Sequence, residues 1–435
     1  MKILSIETSC DETAISILAA DFVGENTSKK PAFKILGNAL HSQIETHADF
    51  GGVFPTLAKR EHIKNFTPIL MSALKSAEML IERTDGQDDG EFSAYITGAL
   101  SSLLDREQEL RNQLQEFFTK YEKPEIDAIA TTTGPGLEPA LWIGITGAKI
   151  LSFIWQIPII PVNHMEGHIT SVLIDEERSD DNQEVLEKGL EINFPAVALL
   201  ISGGHTELVQ VNSWGDYKLL GQTRDDAVGE AFDKVARIIG LKYPGGPKIS
   251  ALAKRFRDGE FASQNNSASI PWDLPRPMIT KRDCDFSFSG LKTSVLYAVR
   301  DYTKNTELHE ADKASLCAEF EQAVTDVLIS KTRRALEISG ARTLIIGGGV
   351  SANTYIKDSF KKMIASEFTF ENSEQNVTLL LPQKNLSTDN SVMIGIAGFL
   401  QYSNGHFISK LAKEHLAWDQ TEFPELRAKG NLRLE

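Results

Sequence analysis

The segment Asn163-His164-Met165-Glu166-Gly167-His168 holds the most definite chemical pattern in the chain. Histidines at i and i+4 of a helix share one face, with Cβ atoms about 5–6 Å apart, which suits two ligands on one metal ion. Asn163, two residues after Pro161, is suited to cap that helix at its N-terminus. A zinc protease instead uses H-E-x-x-H, where the glutamate directly follows the first histidine and acts as general base. Met165 occupies that place here, and Glu166 at i+2 is turned about 200° away from the first histidine, so peptide hydrolysis is disfavoured. Two histidines on a helix are more often structural than ligating, and the metal reading needs a third donor. Asp389, in Ser387-Thr388-Asp389-Asn390 ahead of the apolar stretch Met393 to Leu400, is one candidate. It reads equally well as an acid that favours a helix N-terminus. More than 200 residues separate it from the histidines, so spacing leaves both readings open.

Glycine turns after apolar runs form a second group. Without a Cβ, glycine lets backbone N–H groups approach an anion closely and adopt positive φ. Ser202-Gly203-Gly204, Gly245-Gly246 and Gly347-Gly348-Gly349 supply such places. None is a Walker A motif, since no GK[ST] follows, and none is GxGxxG. A tight turn explains any one of them; together they point to a phosphate-bearing ligand. The third group is acidic: Asp11 and Glu12 lie in Thr8-Ser9-Cys10-Asp11-Glu12-Thr13, where they either accept a proton from a ligand or simply order the loop.

The elements that must position these residues alternate between strand and helix. Lys2 to Glu7 and Ala14 to Leu18 read as strands joined by the polar segment Thr8 to Thr13. The same grammar returns in Ala196 to Ile201, the turn Ser202-Gly203-Gly204-His205, and Thr206 to Val211. Either the fold is internally duplicated or these are two unrelated hairpins. Ile126 to Ala130 leads to Thr133-Gly134-Pro135-Gly136, and Leu344 to Ile346 leads into Gly347-Gly348-Gly349. Helical periodicity fills Ala231 to Gly240 and Ala318 to Leu336. This alternation predicts an α/β architecture with sheets covered by helices.

With 435 residues the chain is long enough for about three domains or two large lobes. Hydrophobic residues at 41% and charged residues at 24% exclude intrinsic disorder and a low-complexity fibre. The net charge of −15 argues against indiscriminate nucleic-acid binding, although a local basic face still grips phosphates. Three such clusters occur: Lys59, Arg60 and Lys64; Lys281, Arg282 and Lys292; and Lys331, Arg333 and Arg334. Cys10, Cys284 and Cys317 are scattered, with no CxxC, which argues against a disulfide scaffold or a cysteine zinc site and for a reducing compartment. The apolar stretch Leu141 to Val162 is broken by Lys149, Gln156, Pro158 and Pro161; a membrane span needs about 20 apolar residues, so it reads as a buried helix and strand. The N-terminus lacks the features of a signal or transit peptide, and a soluble, cytoplasmic protein is expected. Glu82 to Pro124 reads as a helical insertion, with Leu103, Leu110, Leu114, Phe117 and Tyr121 along one face. Asp175 to Glu191 reads as a solvated charged segment, and Asp258 to Asp285 as a long exposed loop.

Taken together, these segments resemble the universal tRNA N6-adenosine threonylcarbamoyltransferase family. The matching pieces are collinear from Ile6-Glu7-Thr8-Ser9-Cys10-Asp11-Glu12-Thr13 to Thr388-Asp389-Asn390. Between them lie Gly51-Gly52-Val53-Phe54-Pro55, Gly134-Pro135-Gly136, the Asn163 to His168 segment and Ser202-Gly203-Gly204-His205-Thr206. Gly229-Glu230-Ala231-Phe232-Asp233-Lys234, Tyr243-Pro244-Gly245-Gly246-Pro247, Phe286 to Thr293 and Gly347 to Asn353 complete the series. The Gly51 to His62 segment and the SGGHT and FSFSGLKT forms are similar to the bacterial and organellar, TsaD-like branch.

The resemblance implies a duplicated actin-like (ASKHA) α/β fold of two lobes with a ligand cleft between them. Expected boundaries are 1–165 for lobe I with its insertion at 82–124, 166–386 for lobe II, and 387–435 for a segment returning to lobe I. It also implies the reaction: threonylcarbamoyl-AMP donates its threonylcarbamoyl group to N6 of adenosine 37 in tRNAs reading ANN codons, with AMP leaving. By the same resemblance, His164, His168 and Asp389 would ligate one divalent metal ion, Fe2+ or Zn2+. Leu200, Ile201, Ser202, Gly203, Gly204, Asp233, Gly246 and Asn353 would hold the nucleotide-bearing substrate. Asp11 or Glu12 would take the proton released. Bacterial relatives work with an inactive paralogue (TsaB-like), a small ATPase (TsaE-like) and a separate enzyme that makes the adenylate; organellar relatives manage without the first two.

Departures from the family pattern are the length of the Glu82 to Pro124 insertion, the Leu137-Glu138-Pro139-Ala140-Leu141-Trp142 loop, and Ser250 where some members place a substrate-contacting Asp. The competing readings are an ATPase or small-molecule kinase on the same fold, and a non-catalytic paralogue serving as scaffold; the intact His164, His168 and Asp389 set speaks against the latter.

Overall fold

The structure is a computed structural model that describes residues 1–24, 30–84, 90–104, 107–174, 190, 192–261, 272–304, 306–369, 376–409 and 426–434. The chain forms two compact units. The first comprises Met1–His47, Val53–Glu191 and Asp389–Leu434; the second comprises Ala48–Gly52, Ile192–Thr388 and the last residue. The first unit thus runs past the expected boundary at 165, because the helix that starts at His164 packs within it.

In the first unit, β1 (Lys2–Glu7), β2 (Glu12–Val23), β3 (Lys30–Ser42), β4 (Ala128–Gly134) and β5 (Ile159–Asn163) form a sheet in the order β3-β2-β1-β4-β5. β1 to β3 are antiparallel, whereas β4 and β5 join parallel to β1. Alternation along β1 sends Leu4 and Ile6 to one face and Ile3, Ser5 and Glu7 to the other. Leu4 and Ile6 share a core with Phe66 and Leu70 of α2 (Pro55–Ser76), which follows the one-turn α1 (Ile44–Ala48). The insertion contributes α3 (Gly90–Leu103) and α4 (Gln108–Lys120), and Leu110, Leu114, Phe117 and Tyr121 are buried in that same core. The apolar run from Leu141 is α5 (Glu138–Trp155) followed by β5, as expected. No helix among the described residues is long and apolar enough to cross a membrane. The short α6 (His164–Thr170) follows β5 directly.

The second unit repeats the design. β6 (Ala196–Ile201), β7 (Thr206–Ser213), β8 (Asp216–Gln222), β9 (Thr343–Gly347) and β10 (Thr378–Leu380) are ordered β10-β9-β6-β7-β8. Counted within each unit, both sheets read 3-2-1-4-5, with an antiparallel meander and two parallel additions. The duplication of a five-stranded α/β domain is therefore structural, and the alternative of two unrelated hairpins falls. Helices α7 (Val228–Ile238), α8 (Gly245–Arg257), α9 (Ser289–Tyr302), α10 (Glu310–Ser339) and α11 (Thr354–Glu367) complete this unit. β3 and β8, each at a sheet edge, escaped the sequence reading because their mixed, partly exposed sequences lack a clean apolar alternation. The segment Asp258 to Asp285 is not simply an exposed loop: Leu274 and Cys284 are buried in the core, while residues 262–271 lie outside the described residues. The charged segment from Asp175 to Glu191 also lies outside them, apart from residue 190.

The chain then returns to the first unit as α12 (Ser391–Ser403), laid on the sheet face opposite α2. Close approach is possible because a Cβ on Gly395 would meet Leu18 Cδ1 at 2.4 Å and one on Gly398 would meet Ala130 Cβ at 2.6 Å. On the other face, a Cβ on Gly147 of α5 would sit 2.1 Å from Cζ of the fully buried Phe66. Gly147→Ala is expected to lower stability by about 1–3 kcal/mol through overpacking, measured as a reduced urea midpoint with an unchanged slope.

Candidate active site

Two helix starts bring the distant ligand candidates together. Asn163 caps α6, its Oδ1 accepting from Met165 N at 2.9 Å, and so sets His164 at the first helical position and His168 one turn later. Asn390 caps α12, its Oδ1 accepting from Met393 N at 3.0 Å, and so fixes Asp389 just ahead of that helix. α6 and α12 meet at Gly167, where a Cβ would lie 3.0 Å from Met393 Cγ and Ile394 Cδ1. Asp389 Oδ1 then stands 3.4 Å from His164 Nε2 and 3.2 Å from His168 Nε2. One ligand atom from each of the three residues lies within 4.8 Å of the others.

A carboxylate missed by the sequence reading completes this arrangement. Glu7, at the end of β1, is fully buried. Its Oε1 accepts from Ser9 N at 2.5 Å, and its Oε2 accepts from Thr132 Oγ1 at 2.6 Å and from His164 Nδ1 at 3.0 Å. Glu7 therefore holds the proton of His164 on Nδ1 and leaves Nε2 directed at Asp389, the second-shell arrangement that orients a metal-binding imidazole. The signal in the sequence was an acid ending a strand that is uncharged and buried from Ile3 to Ile6. Burial pushes the Glu7 carboxyl up, but the charge of His164 together with hydrogen bonds from His164 and Ser9 holds the group below the usual range. Burial acts alike on Asp389, and the charge and hydrogen bonding of His164, with His168, hold that carboxyl far lower still. Burial pushes His164 down, yet Asp389 and Glu7 raise it well above an ordinary histidine, whereas burial keeps His168 below one.

This donor set fits a divalent cation. His168 is fully buried, and neither ring nitrogen has a well-aligned hydrogen bond among the described residues. Donor separations near 3.3 Å suit bond lengths of about 2.0–2.1 Å, and two imidazoles with one carboxylate leave open positions.

Asp11 ends the β1–β2 loop and Glu12 opens β2 in the same unit, where both feel the charge of Asp389. Burial raises both carboxyls, Glu12 the more, and the charge of Asp11 beside it adds to that shift. Cys10 is raised well above a normal thiol by burial and by the acids around it, and all three cysteines are free.

In the second unit the sheet ends and helix starts gather the other predicted residues. Ser202 N donates to His205 O at 2.9 Å, and Ser202 Oγ accepts from His205 N at 3.1 Å. Gly229 N, at the start of α7, donates to Ser202 O at 3.1 Å. Gly203 and Gly204 are exposed, with nothing within 4 Å of a Cβ built on either. Gly348, at φ +89°, lies against Ile201 O. Leu200 and Ile201 have fully buried side chains, so β6 presents its turn rather than these side chains. Asp233 Oδ1 accepts from Gly245 N at 2.7 Å; burial raises this carboxyl although the N–H groups of Gly245 and Gly246 oppose that. Asn353 caps α11, and its Nδ2 donates to Ser250 Oγ at 2.8 Å and to Glu321 Oε1 at 2.7 Å. Glu321, buried in α10 and paired with Arg257, was not anticipated, and nothing in its sequence context distinguishes it. The exposed Gly203-Gly204 turn lies beside the start of α7, where backbone N–H groups at a helix N-terminus suit an anion.

Two of the expected basic faces are not free. Lys331 is buried, donating from Nζ to Asp283 O at 2.9 Å and Lys281 O at 3.1 Å, and Arg333 pairs with Glu367. In the first cluster, Lys59 pairs with Glu107 at 2.5 Å.

The model of the family described as "TsaD: tRNA N6-adenosine threonylcarbamoyltransferase" matches residues 34–86 and 110–396, most of the chain. The chain belongs to this family. The unmatched stretch 87–109 lies inside the Glu82 to Pro124 insertion. Among solved structures, component A of (R)-2-hydroxyglutaryl-CoA dehydratase from Acidaminococcus fermentans is 12% identical, covering 93% of this chain and 98% of its own, with a TM-score of 0.42. A ROK family protein from Streptococcus pneumoniae TIGR4 in complex with sucrose is 13% identical over 93% of this chain and 99% of its own, with a TM-score of 0.36. HypF from T. kodakarensis is 14% identical over 71% of this chain and 44% of its own, with a TM-score of 0.41.

Glu7→Gln is expected to weaken metal binding about 10- to 100-fold, read by competition with a chromogenic chelator while the fold is retained. A pH effect follows from His62 of α2, which is fully buried and pushed down to about 4 chiefly by burial. As pH falls below 6.5 the unfolded chain takes up a proton that the folded imidazole refuses until about 4, so stability declines across that window. Between pH 7 and 5, urea unfolding of His62→Gln is expected to lose about 2 kcal/mol less stability than the unsubstituted protein.

Proposed function

We propose that this protein transfers the threonylcarbamoyl group of threonylcarbamoyl-AMP to N6 of adenosine 37 in tRNAs that read ANN codons. The observation that supports this most is the convergence of His164, His168 and Asp389, contributed by two capped helices of a chain that belongs to the transferase family. These three residues would hold one divalent ion, iron or zinc, with Glu7 fixing the ring of His164. When bound, the ion supplies Lewis acidity to a substrate oxygen.

The remaining steps are assigned to this chain's own groups. The turn Ser202 to Gly204, with Leu200 and Ile201 delivering it and Gly246 at the start of α8, would hold the adenylate through backbone N–H groups. Asp233 would orient those N–H groups as well as facing ribose hydroxyls, and Asn353 would act from the capped end of α11. The N6 amine adds to the carbamoyl carbonyl carbon. As the new C–N bond forms, the bond from that carbon to the phosphate oxygen breaks and AMP leaves with the electron pair. The amine proton passes to Asp11 or Glu12. The exocyclic amine is a weak nucleophile, so positioning carries much of the rate. Partners of the TsaB-like and TsaE-like kinds would supply part of the tRNA contact, in keeping with the paired state of Lys59, Lys331 and Arg333.

The test is to incubate the protein with threonine, bicarbonate, ATP, the adenylate-forming enzyme, both partner proteins and unmodified tRNA, then digest the tRNA and assay the modified nucleoside. The unsubstituted protein is expected to form it, and His164→Ala and Asp389→Ala to abolish it. Full activity in both variants would refute the metal assignment; ATP turnover with no tRNA product would favour a kinase or ATPase instead.

A further inference from the structure

The loop that carries Asp11 and Glu12 is fastened carbonyl by carbonyl. Ser9 O accepts from Leu137 N at 2.7 Å, ahead of α5, and Asp11 O accepts from Gln43 N at 2.8 Å, after β3. Between them, Cys10 O takes its hydrogen bond from a side chain, His62 Nε2 of α2, at 3.1 Å. The other nitrogen, His62 Nδ1, lies 2.7 Å from Thr13 Oγ1. One imidazole thus bridges residues 10 and 13, immediately before and after the acid pair. Its tautomer is set by chemistry: a carbonyl only accepts, so Nε2 carries the proton and Nδ1 accepts from the Thr13 hydroxyl. Burial, which keeps this ring neutral, preserves that one donor and one acceptor. Alternation explains the access: Thr13 shares the β2 face of Ile15 and Ile17 that packs on α2, whereas Glu7 points to the α6 and α12 side.

We propose that His62 is a positioning residue for the transfer, setting the Asp11–Glu12 pair by clamping the loop at Cys10 O and Thr13 Oγ1. The inference rests on the reaction assigned above, in which that pair receives the amine proton. Among the described contacts His62 bonds to Thr13 and Cys10 and to none of His164, His168 and Asp389, so its loss should act on turnover and not on metal binding.

Two polar replacements separate the two ends of the clamp. In His62→Gln the amide reaches the position of Nε2 and keeps a donor for Cys10 O; in His62→Asn it stops at the position of Nδ1 and leaves that carbonyl without one. The full chain, loaded with zinc or iron and supplied with partners, tRNA and adenylate, is assayed for kcat and KM. Metal content and the rate of Cys10 alkylation by iodoacetamide, read by mass spectrometry, are measured alongside. His62→Asn is expected to lower kcat about 10- to 100-fold, with KM for the adenylate within about twofold, unchanged metal content and faster Cys10 alkylation. His62→Gln should recover most of both kcat and the slow alkylation. Equal behaviour of the two variants, or loss of kcat in step with metal content, would overturn the proposal. If the unsubstituted protein makes no modified nucleoside, the assigned reaction fails; the alkylation rates still decide whether His62 holds the loop.

Discussion

The arrangement depends on a carboxylate, Asp389, held against two buried imidazoles that enter the fold more than 200 residues earlier. Taking these groups out of water is costly unless each is matched. Glu7 matches His164 on its inner nitrogen, Asp389 stands at the outer nitrogens of both rings, and His168 retains nitrogens without an aligned partner among the described residues. A cation would resolve that imbalance, since it could bind all three outer donors at once and offset the two carboxylates nearby.

The fold meets this demand with ordinary means. Two asparagine caps set the ends of α6 and α12, and glycines at 167, 395 and 398 let α12 settle onto α6 and the sheet. Strand alternation then decides which residues of the β1–β2 hairpin serve which side. Glu7 turns toward the imidazoles, and Thr13 turns toward α2 and His62. In the second unit the same hairpin position is occupied by Ser202 to His205, an exposed glycine turn without acids. Duplication has thus given one topology two hairpin loops with different chemistry, one acidic and one shaped for an anion.

Much of this was legible from local pattern. The i, i+4 histidines, the Asn163 cap, the repeated hairpin and the helix–strand pair from Leu141 depend on neighbours in sequence, and spacing reports those directly. Asp389 was legible only as a possibility, because its role depends on α12 crossing the sheet of the first unit, which no spacing encodes. Glu7, His62 and Glu321 were missed for a related reason: each is a buried polar residue whose partners come from other elements. Lys331 misled, since a lysine among cations reads as surface until its Nζ is seen on backbone carbonyls of the 281–283 segment.

The most direct measurement of the central claim is anomalous diffraction at the zinc or iron edge from crystals of the metal-loaded protein. One strong peak within bonding distance of His164 Nε2, His168 Nε2 and an Asp389 oxygen is the result expected. A peak elsewhere, or metal-loaded crystals with Asp389 hydrogen-bonded to the two histidines and no anomalous density between them, would contradict it.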